Sequence, residues 1–260
     1  MIEYDIFAQG KRYAMTMSFD DGCYDEKLIK IFNKYGIKGT FHLNSDILGD
    51  KISQIAEIYK GHEVSCHGAN HRTLKYIPIQ GIYKEIFRDR KNLEEQVGYP
   101  VVGMSYACSV YTDEIISALR SMGIVYSRTT ESTDDYHIPN DFMKWHPTCH
   151  YKKCISKGED FLKSMDGWFG YPKLLYVWGH GHEVQRYGDW QMIEDFCKMM
   201  SNNPRIWYAT NIEIYRYITA QRSLVISADE HIVYNPSAIT LWFSKDKKDY
   251  KIESGETLYV

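Results

Sequence analysis

Short apolar runs alternate with helix-period segments along most of this chain, and that alternation narrows its fold more than any other feature. A short apolar run reads as a buried strand and a following 3.6-residue periodicity as a crossover helix, so the pattern specifies βαβ units around a parallel sheet. Arg12 to Phe19 reads as a strand ending at Asp20-Asp21-Gly22. Asp25 to Tyr35 then places Leu28, Ile29, Phe32 and Tyr35 on one stripe, and Gly36 stops that helix. Further strands are expected at 38–43, 62–66, 101–104, 124–127, 174–178 and 206–209. Helices are expected at 52–59, at 80–97, from a cap at Thr112 or Asp113 to Met122, across Trp190 to Met200, and from Asn211 onward. Residues 131–171 have weaker periodicity and read as a long excursion with one short helix, the kind of segment that usually carries function. After Ser223 apolar and polar residues alternate, as in Ile239-Thr240-Leu241-Trp242-Phe243, which predicts a few antiparallel strands. The expected organisation is an α/β domain over residues 1–222 and a β-rich appendage over 223–260.

With 260 residues the chain has the length of a single α/β barrel, which commonly runs to about 250. The balance of 31 Lys plus Arg against 34 Asp plus Glu leaves a formal charge of −3, so no global field gathers nucleic acid or anionic membrane. The longest apolar run, Leu174 to Trp178, falls far short of the ~20 residues a membrane helix needs. Met1 to Asp5 carries acids where a secretory signal needs base. The six cysteines (Cys23, Cys66, Cys108, Cys149, Cys154, Cys197) lack the dense spacing of a disulfide framework and read as free thiols. A soluble cytoplasmic protein without nucleic-acid or membrane partners is expected, unless a leader once preceded Met1; oligomeric state is left open.

Ligand sites of parallel α/β folds collect at the carboxyl ends of the strands. Three predicted strands end in polar residues. Ser18-Phe19-Asp20-Asp21-Gly22 sets two acids side by side on an extended backbone, where successive side chains point oppositely. One carboxylate can therefore face a metal while the other faces a water or substrate; alone, the triplet is more commonly a turn with two solvated acids. Gly61 to His71 contains His67 and His71, four residues apart beyond a strand. On a helical turn this spacing stacks two imidazoles on one face as ligands of a divalent ion, and in isolation it reads equally as two exposed histidines. Joined by Asp21, the pair makes an Asp-His-His set with open coordination positions, the mark of a catalytic metal site. Tyr176 to Glu183 ends a late strand in His180 and His182, either of which can serve as a general acid or simply cap the strand and pack on Trp178.

Taken together, these segments resemble the polysaccharide deacetylases, a carbohydrate esterase family. Its opening motif Thr-Phe-Asp-Asp-Gly appears as Ser18 to Gly22, and its Gly-His-Glu-Ile and His-Ser/Thr-x-x-His motifs appear as Gly61 to His71. The resemblance spans roughly residues 10–222 by element order. It implies a distorted (β/α) barrel that hydrolyses N- or O-acetyl groups of a carbohydrate. It further implies Asp20 as base, Asp21, His67 and His71 as ligands of one divalent ion, and His180 as acid with His182 in reserve. Two imidazoles and a carboxylate favour zinc, with cobalt, nickel and manganese feasible.

The departures are specific. Position 68 is glycine where the family has Ser or Thr. The family's Arg-x-Pro-Tyr-Gly motif aligns with Ser105-Tyr106-Ala107-Cys108-Ser109, so the arginine that orients the base and the proline are both absent. Arg128, beyond the next strand, can reach the same cavity or be an ordinary surface arginine. The oxyanion donor would be the backbone N–H of Cys108. The family's Asp-Trp pair has no clear match, Asp141 to Trp145 followed by His146 being nearest. Tyr106, Cys108, Trp145 and His146 stand as substrate-binding candidates. His146 to His150 with Cys154 also admits a zinc reading, but the usual Cys-x-x-Cys half is missing, and a groove wall is preferred. The rival functions are a catalytically degenerate carbohydrate binder and a hydrolase of another amide or cyclic C–N bond.

Overall fold

The computed structural model describes residues 1–167 and 171–260. After β1 (Ile2–Glu3), the chain runs β2 (Tyr13–Asp20), α1 (Asp25–Tyr35), β3 (Gly39–Leu43), α2 (Ile55–Ile58), β4 (Glu63–Cys66) and α3 (Ile79–Val97). It continues through β5 (Gly103–Ser105), α4 (Asp113–Ser121), β6 (Tyr126–Arg128), β7 (Cys149–His150) and α5 (Cys154–Lys163). Then follow β8 (Lys173–His180), α6 (Gly181–Tyr187), α7 (Trp190–Met200), β9 (Ile206–Tyr208) and α8 (Asn211–Arg222). The tail holds β10 (Val225–Ile226), β11 (Ile232–Tyr234), β12 (Leu241–Lys245), β13 (Lys248–Ile252) and β14 (Thr257–Tyr259).

The expected α/β architecture is present as one curled parallel sheet in the order β6-β5-β4-β3-β2-β8-β7, with β9 on the first half of β2. The sheet's two outer edges are joined by a single short segment. Trp145 pairs with Arg128 of β6, and four residues later Cys149 and His150 pair with β8. All residues of β2 are buried, and they divide by period two. Met15, Met17 and Phe19 enter the core under the helices, with Leu28 and Phe32 of α1, Ile86 and Leu93 of α3, and Phe196 of α7. Each such side chain contributes about 1.5–3 kcal/mol by leaving water. Thr16, Ser18 and Asp20 face the barrel interior, where Thr16 donates to Asn211, Ser18 meets Tyr176, and Asn211 donates to the Tyr176 hydroxyl. Lower in the barrel, Glu63 accepts from Tyr126, Thr40 and the Ile212 amide, and burial pushes its pKa up to about 7.

Helix ends follow the sequence signals. Gly36 and Gly98 cap α1 and α3 in left-handed backbone, the Thr112 hydroxyl caps α4, and Thr210 with Glu213 forms a capping box on α8. Three differences stand out. The segment expected as a helix at 52–59 is 3₁₀ from Gly49 to Gln54 and α-helical only over Ile55–Ile58. The excursion contains a strand, β7, as well as α5; its part at 168–170 lies outside the described residues. Helix α6 was not expected, because only Gly181 and Val184 are buried in it and no apolar stripe marks it.

The tail forms antiparallel strands, as expected, in two three-stranded sheets, one of which takes in β1. Val233, Leu241, Phe243 and Ile252 share a core with Trp207, Ile214, Tyr217 and Ile218, so the tail packs on α8. Among the described residues no helix is long and apolar enough to cross a membrane, and all six cysteines are unpaired.

Gly181 begins α6 against the loop after β2: a Cβ there would lie 2.0 Å from the carbonyl oxygen of Cys23. Backbone cannot yield as a flexible side chain does. Gly181→Ala is therefore expected to destabilise the fold by about 1–3 kcal/mol, read as a lower Tm; an unchanged Tm would refute this packing.

Candidate active site

The carboxyl ends of the strands converge on one place, and each brings a polar residue. Register pairs Asp20 with His42 on one side and His180 on the other, and Ser105 with Arg128. Asp21 follows Asp20 in left-handed backbone (φ 76°), a conformation that costs a non-glycine residue energy. Its Oδ1 lies 3.6 Å from His67 Nε2 and 3.8 Å from His71 Nε2. The two imidazoles are held by a turn, not the helical turn expected from their spacing: the His71 amide donates to the Gly68 carbonyl, with Gly68 and His71 both at positive φ. Their ring centroids are 4.8 Å apart.

Helix α3 steadies this turn. Asp89 accepts from the amides of Ser45, His67 and Gly68 at 2.8–3.0 Å, and Glu85 accepts from the Asn70 amide at 2.7 Å. From the other side Asn44 donates to the His67 and Gly68 carbonyls. The loop is thus anchored without the hydroxyl that glycine at position 68 lacks. Burial raises the Asp89 pKa to about 7 against its three amide donors.

The donor set fits a divalent ion. The His67 Nδ1–H donates to the Ser105 carbonyl at 3.0 Å, which leaves the Nε2 lone pair toward Asp21 and His71. Burial lowers the His67 pKa, outweighing the two nearby aspartates, in the direction of the neutral ring that ligation requires. Asp21, His67 and His71 each offer a donor atom within 4.8 Å of the other two.

Asp20 is buried beneath this set, its Oδ2 3.7 Å from His67 Nε2. Arg128 donates to Oδ2, while His42 Nδ1 (3.0 Å) and the Ser105 hydroxyl (3.2 Å) donate to Oδ1. Burial opposes the charge, but Arg128, His67 and His42 outweigh it and hold Asp20 well below the usual carboxylate range. Arg128 is itself fully buried, its guanidinium 4.6 Å from the Trp178 ring centroid. At the position where the resemblance expects an arginine, Ser105 hydrogen-bonds Asp20, and the arginine that contacts Asp20 comes instead from the neighbouring strand.

At the third strand end, His180 Nδ1 lies 2.9 Å from Glu183 Oε2. His182, on the first turn of α6, instead points its Nδ1 toward Asp21 Oδ2 at 3.8 Å. Cys108 is exposed in the turn after β5, in left-handed backbone. Two substrate-binding candidates are core residues. Tyr106 is 1% exposed, with its hydroxyl on the Met143 carbonyl and its ring on Tyr111; Trp145, also 1% exposed, packs edge-on against Tyr126, Phe142 and Tyr176. Neither side chain can form a groove wall. His146 is partly exposed, bonded to Thr129, and lines a separate cavity of about 290 Å³ with Asn140 and Lys144. Cys149 and Cys154 are buried in the core, so the zinc set read from His146 to Cys154 does not assemble. A cleft of about 740 Å³ opens from Asp21 across Tyr24, Leu48, Lys51 and Tyr59.

Sequence reading missed His42, Asp89 and Glu183. His42 interrupts an apolar strand in register with Asp20. Asp89 falls on the buried stripe of α3 with Ile82, Ile86 and Leu93, and an acid at such a position signals a buried backbone to be satisfied.

The polysaccharide deacetylase family model matches residues 8–127, the stretch with both the acid and the paired-histidine motifs. Over that stretch the chain is similar to the polysaccharide deacetylase family, whose motifs it carries in divergent form. No curated protein matches the sequence. Solved structures share the fold, among them the following three. A Mycobacterium smegmatis protein classed with the polysaccharide deacetylases is 19% identical, with a TM-score of 0.63 over 83% of this chain and 93% of that one. An allantoinase is 12% identical, with a TM-score of 0.61 over 81% and 91%. A CE4 family pseudoenzyme from Bacillus anthracis is 13% identical, with a TM-score of 0.52 over 78% and 65%.

Two measurements check this geometry. Asp89→Asn leaves at least one buried amide of the His67 turn facing a donor, and is expected to cost about 1–3 kcal/mol and to lower Tm. Burial lowers the His42 pKa from 6.5 to about 4 despite Asp20. A folded-state pKa below the unfolded one means that this residue's contribution to stability, about 3 kcal/mol, is complete above pH 6.5 and is lost as pH falls toward 4. NMR of the imidazole nitrogens is expected to find His42 neutral at pH 5; an imidazolium there would contradict the assignment.

Proposed function

We propose that this protein is a metal-dependent deacetylase that removes N- or O-acetyl groups from a carbohydrate. Similarity to the polysaccharide deacetylase family supports a carbohydrate deacetylase in general. The finer reading is carried by one observation: a three-donor set of Asp21, His67 and His71 stands beside a separate, ionised carboxylate, Asp20, 3.7 Å from the nearest donor nitrogen. Asp20 lies as near that nitrogen as Asp21 does, but its two oxygens are taken up by Arg128, His42 and Ser105, which leaves it a base beside the ligand set and not a fourth member of it.

The chemistry that a divalent ion held by Asp21, His67 and His71 supplies is polarisation of the acetyl carbonyl and a lowering of the pKa of water from about 16 to about 7. Zinc suits two imidazoles and one carboxylate. Asp20 accepts the proton of the attacking water, and Arg128, His42 and Ser105 fix its orientation and keep it charged until then. The Cys108 N–H is the donor assigned to the oxyanion. His180 gives a proton to the departing amine or alcohol as the acetyl C–N or C–O bond breaks. Glu183 on Nδ1 orients the ring and leaves Nε2 as the proton-donating atom. The cleft from Asp21 to Tyr59 is the place assigned to the sugar. The contact of Arg128 with Asp20 favours this reading over a degenerate binder, whose main ground was the absent arginine.

Asp20→Asn is expected to lower kcat by about 10²- to 10⁴-fold while zinc content, measured by elemental analysis, is unchanged. The reading fails if the metal-loaded wild-type protein releases no acetate from a broad panel of acetylated sugars, or if the substitution leaves the rate intact.

A further inference from the structure

Besides Asp21, His67 and His71, the described residues contain one further set of three metal-ligating side chains. His150 Nε2, His180 Nδ1 and Glu183 Oε2 all lie within 4.8 Å of one another. They come from three elements: His150 ends β7, His180 ends β8, and Glu183 is on the first turn of α6. Register fixes the strands, with His150 opposite Trp178, and the His150 ring packs against Trp178 and Tyr151. All three side chains are 22–26% exposed, so the cluster is shaped by the fold yet open to solvent. A single oxygen, Glu183 Oε2, faces both rings, at 3.0 Å from His150 and 2.9 Å from His180. Two imidazoles and a carboxylate in this arrangement are the same donor chemistry as the first set.

We propose that His150, His180 and Glu183 form a second, weaker site for a divalent cation of the zinc type, and that filling it inhibits the enzyme. The separations near 3 Å match adjacent positions around an ion with bonds of about 2.0–2.2 Å. Binding exchanges two N–H···O hydrogen bonds for three coordinate bonds. In each neutral ring the proton moves to the other nitrogen, from Nδ1 to Nε2 in His180 and from Nε2 to Nδ1 in His150. At the first site Asp21 Oδ1 stands 3.6–3.8 Å from the two ring nitrogens, beyond hydrogen-bond distance, so no such bonds are broken there and that site fills first. A ligated His180 can no longer become an imidazolium, so the second cation removes the acid of the proposed mechanism. This inhibitory consequence rests on the proposed role of His180; the site itself does not.

The test is a zinc titration of the full chain, counted by equilibrium dialysis and elemental analysis, for the wild type, His71→Ala, His150→Gln and Glu183→Gln, with circular dichroism to establish folding. The wild type is expected to take two ions, the second at least about tenfold more weakly, and each of His150→Gln and Glu183→Gln only the tight one. Zinc beyond one equivalent is expected to slow acetate release by the wild type and not by His150→Gln. A wild-type titration that stops at one ion overturns the proposal, as does a second ion retained by a natively folded His150→Gln or Glu183→Gln protein. If His71→Ala keeps the tight ion, the reading of the first site fails instead, and the two results are told apart by which substitution removes which ion.

Discussion

The buried contact between Asp20 and Arg128 is the constraint on which the site is built. A carboxylate taken out of water without compensation protonates, and a buried guanidinium without an anion is costlier still. Neither residue is accessible to solvent in any useful degree, so each makes the other's burial possible. Buried ion pairs need not add stability relative to an apolar pair of the same size. What this one does is hold a charged oxygen at a defined point, 3.7 Å from His67 Nε2. His42, Ser105 and the face of Trp178 complete its shell, each from a different strand.

That arrangement explains why the parallel sheet matters to the chemistry. Parallel strands all end on one side, so one residue per strand suffices to assemble a polar cluster over an otherwise packed barrel. Beneath it, Thr16, Ser18, Thr40, Glu63, Ser65, Tyr126, Tyr176 and Asn211 pair with one another through hydrogen bonds, which offsets the cost of a polar interior. The helices contribute less visibly: Asp89 and Glu85 reach from α3 to backbone amides and set the turn that brings His71 to His67.

Most of the fold was legible because it is written in periodicity. Strand β2 and helices α1, α3 and α4 carry strong patterns and clear stop signals, and they fall within a residue or two of expectation. Strand β7 was not legible, since two residues cannot display an alternation, and α6 was not because it buries almost no apolar side chain. In the site, Asp20, Asp21, His67 and His71 could be found because they cluster in sequence after strands. His42, Asp89 and Glu183 act through partners distant in the chain or on another element, so composition and spacing are silent about them. Tyr106 and Trp145 were misread for a related reason: an aromatic residue near a motif looks the same in sequence whether it faces a groove or the core, and here both pack inward.

The close approach of Gly181 to Cys23 has a mechanical consequence. The loop between Cys23 and β2 carries Asp21, while the helix that Gly181 begins carries His182 and Glu183, and the two backbones meet with no side chain between them. Neither can swing outward alone without opening a gap at that seam. The loop that bears Asp21 and the turn that bears His182 and Glu183 are therefore in direct backbone contact, so an inward shift of either presses on the other.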